Sequence, residues 1–238
     1  MDKSMKYELS LILEKDDYKS IIKNFSWNEI IQLNHRYNML PFIQKFLKKE
    51  DCFEPICKRG TPLISRIFYY DIESRDEIIK LVIKKGYISH ENQHIFNINP
   101  LFFVLNNNEL LGLFLENGFD PNLEDFIGNN IICQYLCTNP DDDYAIEGIK
   151  LMIEKGIGLN HQNMQSETMI KLVLNRPKIL NFLIENGFCL EYLSQRDLIH
   201  IKIFLRKNTN NETYQILMNH GCICVKDLWT ERFINLKI

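Results

Sequence analysis

The chain has 238 residues, of which 45% are hydrophobic and 25% are charged, the balance of an ordinary folded protein. With 28 basic and 31 acidic residues the net charge is −3, so we expect no long-range field that attracts nucleic acid or an anionic membrane. Charges interrupt the N-terminal apolar stretch, and no apolar run approaches the roughly 18 residues of a membrane-spanning helix, which argues against secretion and membrane insertion.

The seven cysteines are scattered in or beside apolar segments. An odd number without a regular framework indicates free thiols in a reducing compartment. We therefore expect a cytoplasmic protein.

Residues 1–58 form the least regular part of the chain. Ser26 and Glu29 have the spacing of a helix capping box, and Pro41 suits the first turn of the helix that follows. No glycine closes this helical pair. We predict a helical capping region with a degenerate repeat at about residues 26–54, because terminal repeats must hide one apolar face from water.

A glycine then closes each of five successive helical segments, at intervals of 32, 38, 31 and 34 residues. Glycine ends a helix readily because it adopts the left-handed backbone conformation without a steric penalty. A period of about 33 residues predicts repeats of two short helices and a turn. The five glycines are Gly86, Gly118, Gly156, Gly187 and Gly221. The predicted repeats span residues 59–94, 95–127, 128–165, 166–193 and 194–226, followed by a C-terminal capping helix at 227–238.

The segment from Asn108 to Asn130 shows the unit most clearly. It contains an apolar stripe at helical spacing, the helix stop Gly118, and turn residues around Pro121 and Gly128. The stripe consists of Leu110, Leu111, Phe114 and Leu115.

Three motifs resemble the ankyrin repeat: Thr61-Pro62-Leu63, the run Gly118–Asn122, and the run Asp125–Asn130. The resemblance implies an all-α ankyrin-repeat solenoid of helix-turn-helix units with short projecting turns, here called fingers. It also implies a non-catalytic module that binds another protein. The long inserts and the composition are similar to ankyrin proteins of large DNA viruses, poxviruses in particular, which implies a viral or pathogen factor that binds a host protein in the cytoplasm or nucleus.

No residue pattern predicts catalysis, a cofactor or a metal. The six histidines fit no nucleophile motif, and the cluster of His220, Cys222 and Cys224 lacks a second pair of ligands. Cys133 and Cys137 lie one helical turn apart, where cysteine is typically a small buried hydrophobe. The acidic run from Asp141 to Asp143 lacks the spacing of a calcium loop.

The finger tips and the concave face are the predicted protein-binding surface. Phe126 is either an exposed anchor or a side chain packed on the neighbouring finger. Alternatives are an enzyme with a site in residues 1–58 or the Asp141 loop, and a structural subunit of a larger assembly. We expect a monomer with a protein partner and without nucleic acid or membrane. The predicted binding residues are Tyr87, His90, Asp120, Asn122, Asp125, Phe126, Asn160, His161 and Gln162.

Overall fold

The computed structural model describes residues 75–86, 100–208 and 212–222. The chain divides into two compact units, residues 1–100 and 101–238. In the first unit, helix α1 (Arg75–Lys84) buries four aliphatic side chains on one face and is followed by Gly86, which has a φ of 72°. The predictions for residues 1–58 and 227–238, and for Tyr87 and His90, lie outside the described residues and stay predictions.

The second unit is a stack of helical pairs, which we label repeats A to D. Neighbouring repeats are joined by three fingers. Finger AB comprises residues 119–130, finger BC residues 157–169, and finger CD residues 188–194. Repeat A contains the 3-10 helix Pro100–Phe103 and α2 (Asn108–Glu116), and repeat B contains α3 (Ile131–Thr138) and α4 (Asp142–Glu154). Repeat C contains α5 (Ile170–Val173) and α6 (Pro177–Glu185), and repeat D contains α7 (Gln195–Lys207) and α8 (Glu212–Asn219).

The pairs form two helical layers. The first helices α3, α5 and α7 pack in sequence, and so do the second helices α2, α4, α6 and α8. The described residues contain a further 3-10 helix, Leu190–Tyr192, and no β-strand. The all-α repeat solenoid expected from the sequence is confirmed. Such an array builds its core by stacking, because one short pair cannot bury its apolar face alone.

The helix-ending glycines and the buried apolar stripe also agree with the predictions made from the sequence. Each of the five repeat glycines has a positive φ, between 72° and 105°. The stripe of α2 is buried throughout, and Phe114 stacks at a tilt on Phe119 with their ring centroids 4.9 Å apart.

Repeats B, C and D each donate a hydrogen bond to the repeat before them. The acceptor is a carbonyl at the end of that repeat's first helix, where the helix itself supplies no donor. Asn139 Nδ2 donates to the Leu105 carbonyl at 2.9 Å. The equivalent carbonyls of Leu136 and Leu174 accept from Arg176 Nη1 at 3.0 Å and from Thr213 Oγ1 at 2.8 Å. Three different side chains thus satisfy the same backbone group at three successive junctions.

Two facing core residues of repeat B differ in size from their counterparts in repeats A and C: one is larger and the other is smaller. The first-helix position holds valine in repeats A and C (Val104 and Val173) but Tyr135 in repeat B, and all three are fully buried. The facing second-helix position, which holds leucine or isoleucine in repeats A and C, holds Gly148 in repeat B. A Cβ on Gly148 would overlap the Tyr135 hydroxyl. The glycine is therefore required by close packing inside a helix, a place where it ordinarily destabilises.

The Tyr135 hydroxyl belongs to a polar network in the space that Gly148 leaves. It donates to Asn108 Oδ1 at 2.7 Å and lies 3.1 Å from the Tyr144 carbonyl, to which Asn108 Nδ2 donates at 3.0 Å. The Tyr144 hydroxyl in turn accepts from the Asn108 backbone N–H at 2.8 Å. Burial raises the pKa of Tyr135, so its hydroxyl remains a donor at neutral pH.

We expect Gly148→Ala to destabilise the chain by about 3 kcal/mol, because the new methyl group displaces Tyr135 and breaks its hydrogen bonds. Urea denaturation would measure the loss. Adding Tyr135→Val restores the residue type of the neighbouring repeats and should make the double variant more stable than the sum of the two single effects by about 1 kcal/mol or more. Additive effects would show that the two side chains do not compete for this space.

Candidate protein-binding site

The tip of finger AB is built around the Asp125 carboxylate. Its Oδ1 accepts from the backbone N–H groups of Ile127 and Asn129, both at 2.9 Å, and the Asp125 N–H donates to the Asn129 carbonyl at 2.9 Å. Gly128 closes the turn with a φ of 80°. This carboxylate therefore acts as a template for the turn, a common use of aspartate and asparagine.

Finger BC repeats the design with different residues. Asn163 Oδ1 accepts from the N–H groups of Gln165 at 2.9 Å and Glu167 at 3.0 Å. Ser166 takes the place of Gly128 and has a φ of 57°, the one positive value among the described non-glycine residues. The same turn thus forms with a strained residue where its neighbour has glycine.

The two tips are joined directly. The Met164 N–H donates to the Ile127 carbonyl at 3.2 Å, and Asn163 Nδ2 donates to Asn129 Oδ1 at 3.1 Å. His161 Nε2 lies 2.6 Å from the Gly128 carbonyl, which requires a proton on that nitrogen, and 3.7 Å from Glu124 Oε1. These contacts fix the spacing of neighbouring tips.

One asparagine in each of fingers AB and BC binds the end of the repeat that follows the finger. Asn122 Nδ2 donates to the Gly156 carbonyl at 3.0 Å, while its Oδ1 accepts from the Gly158 N–H at 2.7 Å. Asn160 makes the same pair of bonds with Gly187 at 2.9 Å and Cys189 at 2.7 Å. Each amide thus binds the backbone that follows a helix-ending glycine.

Six of the seven described candidates make intramolecular hydrogen bonds. Four of them are described above (Asn122, Asp125, Asn160 and His161). In addition, Asp120 Oδ1 accepts from the Asn122 N–H at 2.8 Å, and Gln162 Nε2 donates to the Tyr192 carbonyl at 2.8 Å. The remaining candidate, Phe126, is 90% exposed. Of the two placements considered for Phe126, the structure has the exposed one.

Phe126 is accompanied by two apolar residues that the sequence reasoning missed. Ile127 is 41% exposed, and Met164, on the neighbouring tip, is 74% exposed. Met164 follows the turn-forming Asn163 as Phe126 follows Asp125, so aligning the two fingers would have identified it. We call Phe126, Ile127 and Met164 the finger-tip patch. Exposed apolar residues grouped in this way are typical of interaction sites.

The acidic run at the start of α4 has structural partners. Asp141 caps the helix by accepting from the Tyr144 N–H at 2.8 Å. Asp142 pairs with Arg176 at 2.7 Å, and Asp143 pairs with Lys178, which raises the pKa of that lysine. The carboxylates therefore fix the start of α4 and join repeat B to repeat C.

Cys133 of α3 lacks the properties of a reactive thiol. Burial raises the pKa of the Cys133 thiol to about 12, so it is protonated at neutral pH and a poor nucleophile or metal ligand. Across the described residues, no three His, Cys, Asp or Glu side chains are grouped closely enough to hold a metal ion.

The junction of repeats C and D contains two buried carboxylates. Glu167 pairs with Lys171 and, through Oε1, with His200 Nε2 at 3.2 Å. The hydrogen bond from Lys171 is the main reason that the pKa of Glu167 is lowered. Asp197 is fully buried and accepts from the Thr168 N–H at 3.0 Å and from Ser194 at 3.0 Å.

None of the described helices combines the length and the apolar character that crossing a bilayer requires. The stacked helical pairs, their glycine stops and the hydrogen-bonded fingers of the described residues define an array of helix-turn-helix repeats with projecting turns, the architecture that the ankyrin-like sequence motifs predicted.

Comparison with known proteins supports this class. The chain is similar to the protein named "Putative ankyrin repeat protein L91" of Acanthamoeba polyphaga mimivirus, with 25% identity over 182 residues. The match covers 61% of this chain and 28% of that protein, so the chain spans less than a third of the length of its viral relative. No protein-family model matches the chain. The resemblance to divergent ankyrin-repeat proteins is thereby confirmed.

Ser166→Gly should stabilise the chain by about 0.5–1 kcal/mol, because glycine adopts the positive φ of this turn without strain. The reciprocal change Gly128→Ser should destabilise it, since a Cβ there would lie 2.9 Å from the Met164 nitrogen. Thermal unfolding would measure both. A loss of stability in Ser166→Gly would indicate that contacts of the serine side chain stabilise the fold by more than the strained backbone destabilises it.

Glu167→Gln should destabilise the chain at pH 7 by about 1–2 kcal/mol, because it removes a buried charge that accepts hydrogen bonds from Lys171 and His200. A lowered pKa in the folded state means that the carboxylate stabilises the fold above the ordinary glutamate pKa of 4.5. The advantage of the native residue should therefore decrease as the pH falls below that value and vanish once the pH has passed the lowered pKa of the folded state. Urea denaturation between pH 7 and pH 3, with the exposed Glu154→Gln as the control, would test this. A difference that does not change with pH would contradict it.

Proposed function

We propose that the chain is a non-catalytic protein-binding module whose finger tips, together with the concave face, contact another protein. The observation that carries this proposal is the 90% exposure of Phe126 in the finger-tip patch. Burying a phenylalanine side chain is worth about 1.5–3 kcal/mol, so an exposed one offers that free energy to a partner. Aromatic side chains are also frequent among the residues that dominate interfaces.

The construction of the tips favours tight binding. Asp125 and Asn163 hold the turns, and His161 and Asn163 tie the tips together. A surface already held in one geometry loses little conformational entropy on binding. Asn122, Asn160 and Asp125 thus support the surface, whereas Phe126 and Met164 are the side chains that it presents.

The partner that we propose is an intracellular protein of a host cell, and the chain itself is a viral or pathogen factor that acts in the cytoplasm or nucleus. The similarity to an ankyrin repeat protein of a giant virus supports this assignment. The structural partners of Asp141, Asp142 and Asp143 weigh against the alternative of an enzyme that uses the Asp141 loop.

Phe126→Ser tests the proposal. We expect tagged wild-type protein to retain a partner from host-cell extract and the variant to lose it, with mass spectrometry as the readout. Ile199→Ser is the matched control, because Ile199 is another large apolar residue, 54% exposed, on α7. Both substitutions are at the surface and should change the free energy of unfolding by less than about 0.5 kcal/mol.

Equal capture by the wild type and Phe126→Ser would rule out the finger-tip patch as the contact surface. Loss of capture with Ile199→Ser alone would place the contact on the first-helix layer instead.

A further inference from the structure

Helix α7 carries the exposed large apolar side chains of the helical layers. Six large apolar residues of the described chain are exposed, of which four lie in the fingers and two, Ile199 and Ile203, lie on α7. Their exposed fractions are 54% and 49%. They are one helical turn apart and therefore share one face of the helix. No other described α-helix exposes a large apolar residue.

The face that Ile199 and Ile203 occupy stays exposed when a further repeat follows. Repeats B, C and D can be aligned on the buried residues Tyr135, Val173 and Ile201. The residues equivalent to the two isoleucines are then Cys133 and Cys137 in repeat B and Lys171 and Asn175 in repeat C. All of these except the half-buried Cys133 are exposed, although the next repeat packs on each of these first helices. Stacking of repeats therefore does not cover this face.

Two basic residues extend this face at its ends. Arg196 lies three residues before Ile199, and Lys207 lies four residues after Ile203, so the four side chains follow one stripe of the helix. Both basic residues are exposed. We call Arg196, Ile199, Ile203 and Lys207 the α7 face. From Arg196 to Lys207 it spans about three helical turns, or about 16 Å.

The two charges of the α7 face have no acidic partner among the described residues. Arg196 donates to the neutral Gln165 Oε1 at 3.4 Å, and none of the ion pairs includes Arg196 or Lys207. The one acidic residue of α7, Asp197, is fully buried and accepts hydrogen bonds there.

The position of Arg196 does not serve the stability of α7. It lies in the first turn, where the helix dipole disfavours a cation, whereas Lys207 lies in the last turn, where the dipole favours one. Arg196 is therefore the charge of the α7 face that the fold itself does not explain.

We propose that the α7 face binds an acidic protein segment, in which apolar side chains contact Ile199 and Ile203 and carboxylates face Arg196 and Lys207. A carboxylate beside Arg196 also meets the positive end of the helix dipole. The apolar contact supplies affinity, and the complementary charges fix the orientation and exclude basic partners. This inference goes beyond the proposed function, because it adds a second binding surface on an element other than the finger tips.

The arrangement of charges disfavours a second copy docked by the same face. Because a basic residue stands at each end, a two-fold axis would place Arg196 against either Lys207 or its own symmetry mate. Both arrangements bring like charges together and repel. An acidic segment from another protein meets the opposite sign at both ends.

Large polyanions fit the α7 face less well than a short acidic segment does. Nucleic acid and an anionic membrane meet the whole chain, whose net charge is −3. The α7 face also lacks an aromatic side chain on which a nucleotide base could stack. A short segment meets only the local charges of Arg196 and Lys207.

A displayed library of random 15-residue peptides tests the proposal. The full chain is used to select peptides, and those that also bind Ile203→Ser are removed. We expect the remaining peptides to carry Asp or Glu on both sides of large apolar residues, and Ile199→Ser to lose the same peptides. Enrichment in Lys and Arg, a neutral composition, or recovery of no peptide that depends on Ile203 would overturn the proposal. Thermal unfolding of both variants checks that they remain folded.

Charge variants test how a selected peptide is held. For Arg196→Gln with Lys207→Gln we expect the dissociation constant to rise roughly tenfold at low salt and its dependence on salt to weaken. Arg196→Lys keeps the charge and should retain most of the affinity. Lys155→Gln is the matched control, because Lys155 is an exposed basic residue at the end of α4, and it should leave binding unchanged. No loss in the double variant, or an equal loss in the control, would contradict the inference.

Three further outcomes would overturn the proposal. Sedimentation that shows a dimer abolished by Ile203→Ser would make a second copy of this chain the occupant. Binding of oligouridine or of phosphatidylserine vesicles that Arg196→Gln with Lys207→Gln abolishes would make it a polyanion. Selected peptides that Phe126→Ser also releases would place their contact on the finger-tip patch. Failure of this inference leaves the proposed function intact, since Ile199→Ser is expected to retain the partner that Phe126 captures.

Discussion

The array depends on hydrogen bonds that cross from one repeat to the next. A short first helix ends with carbonyl groups that its own backbone cannot satisfy, and each repeat after the first supplies a donor to that position of its predecessor. Asparagine, arginine and threonine perform this task at the three described junctions. The donor belongs to the next repeat, so a repeat on its own leaves this carbonyl without a hydrogen bond. The same neighbouring repeat also covers its apolar face.

The polar residues of the fingers also form hydrogen bonds within the chain. Asn122 and Asn160 bind the backbone after a helix, and Asp125 and Asn163 hold the turns. In consequence many of the polar residues support the fingers, and Phe126 and Met164 are the large apolar side chains that the tips present to solvent. The fingers thus differ from the usual exposed loop in presenting large apolar side chains to solvent.

The features that could be predicted from the sequence are local. Gly118 and its counterparts end helices because of their own backbone freedom, and Leu110 and Phe114 are buried because their spacing matches the helical period. The roles of the finger residues depend on partners about 30 residues away, as with Asn122 and Gly156, and no local spacing reveals them. The exposure of Phe126 could not be predicted for the same reason, since it depends on whether the neighbouring finger projects far enough to cover it. Met164 was missed because finger BC has serine in the glycine position, which hides the alignment of the two turns.

The exchange between Tyr135 and Gly148 has a consequence for how the array can evolve. In repeats A and C the first position holds valine and the second holds leucine or isoleucine, so a helix of one could replace that of the other without a large change of volume at this pair. Repeat B does not allow this exchange, because a crossover between α3 and α4 would set a tyrosine against a bulky aliphatic residue or leave a void opposite glycine. Its two helices therefore have to be exchanged together if the packing is to be kept.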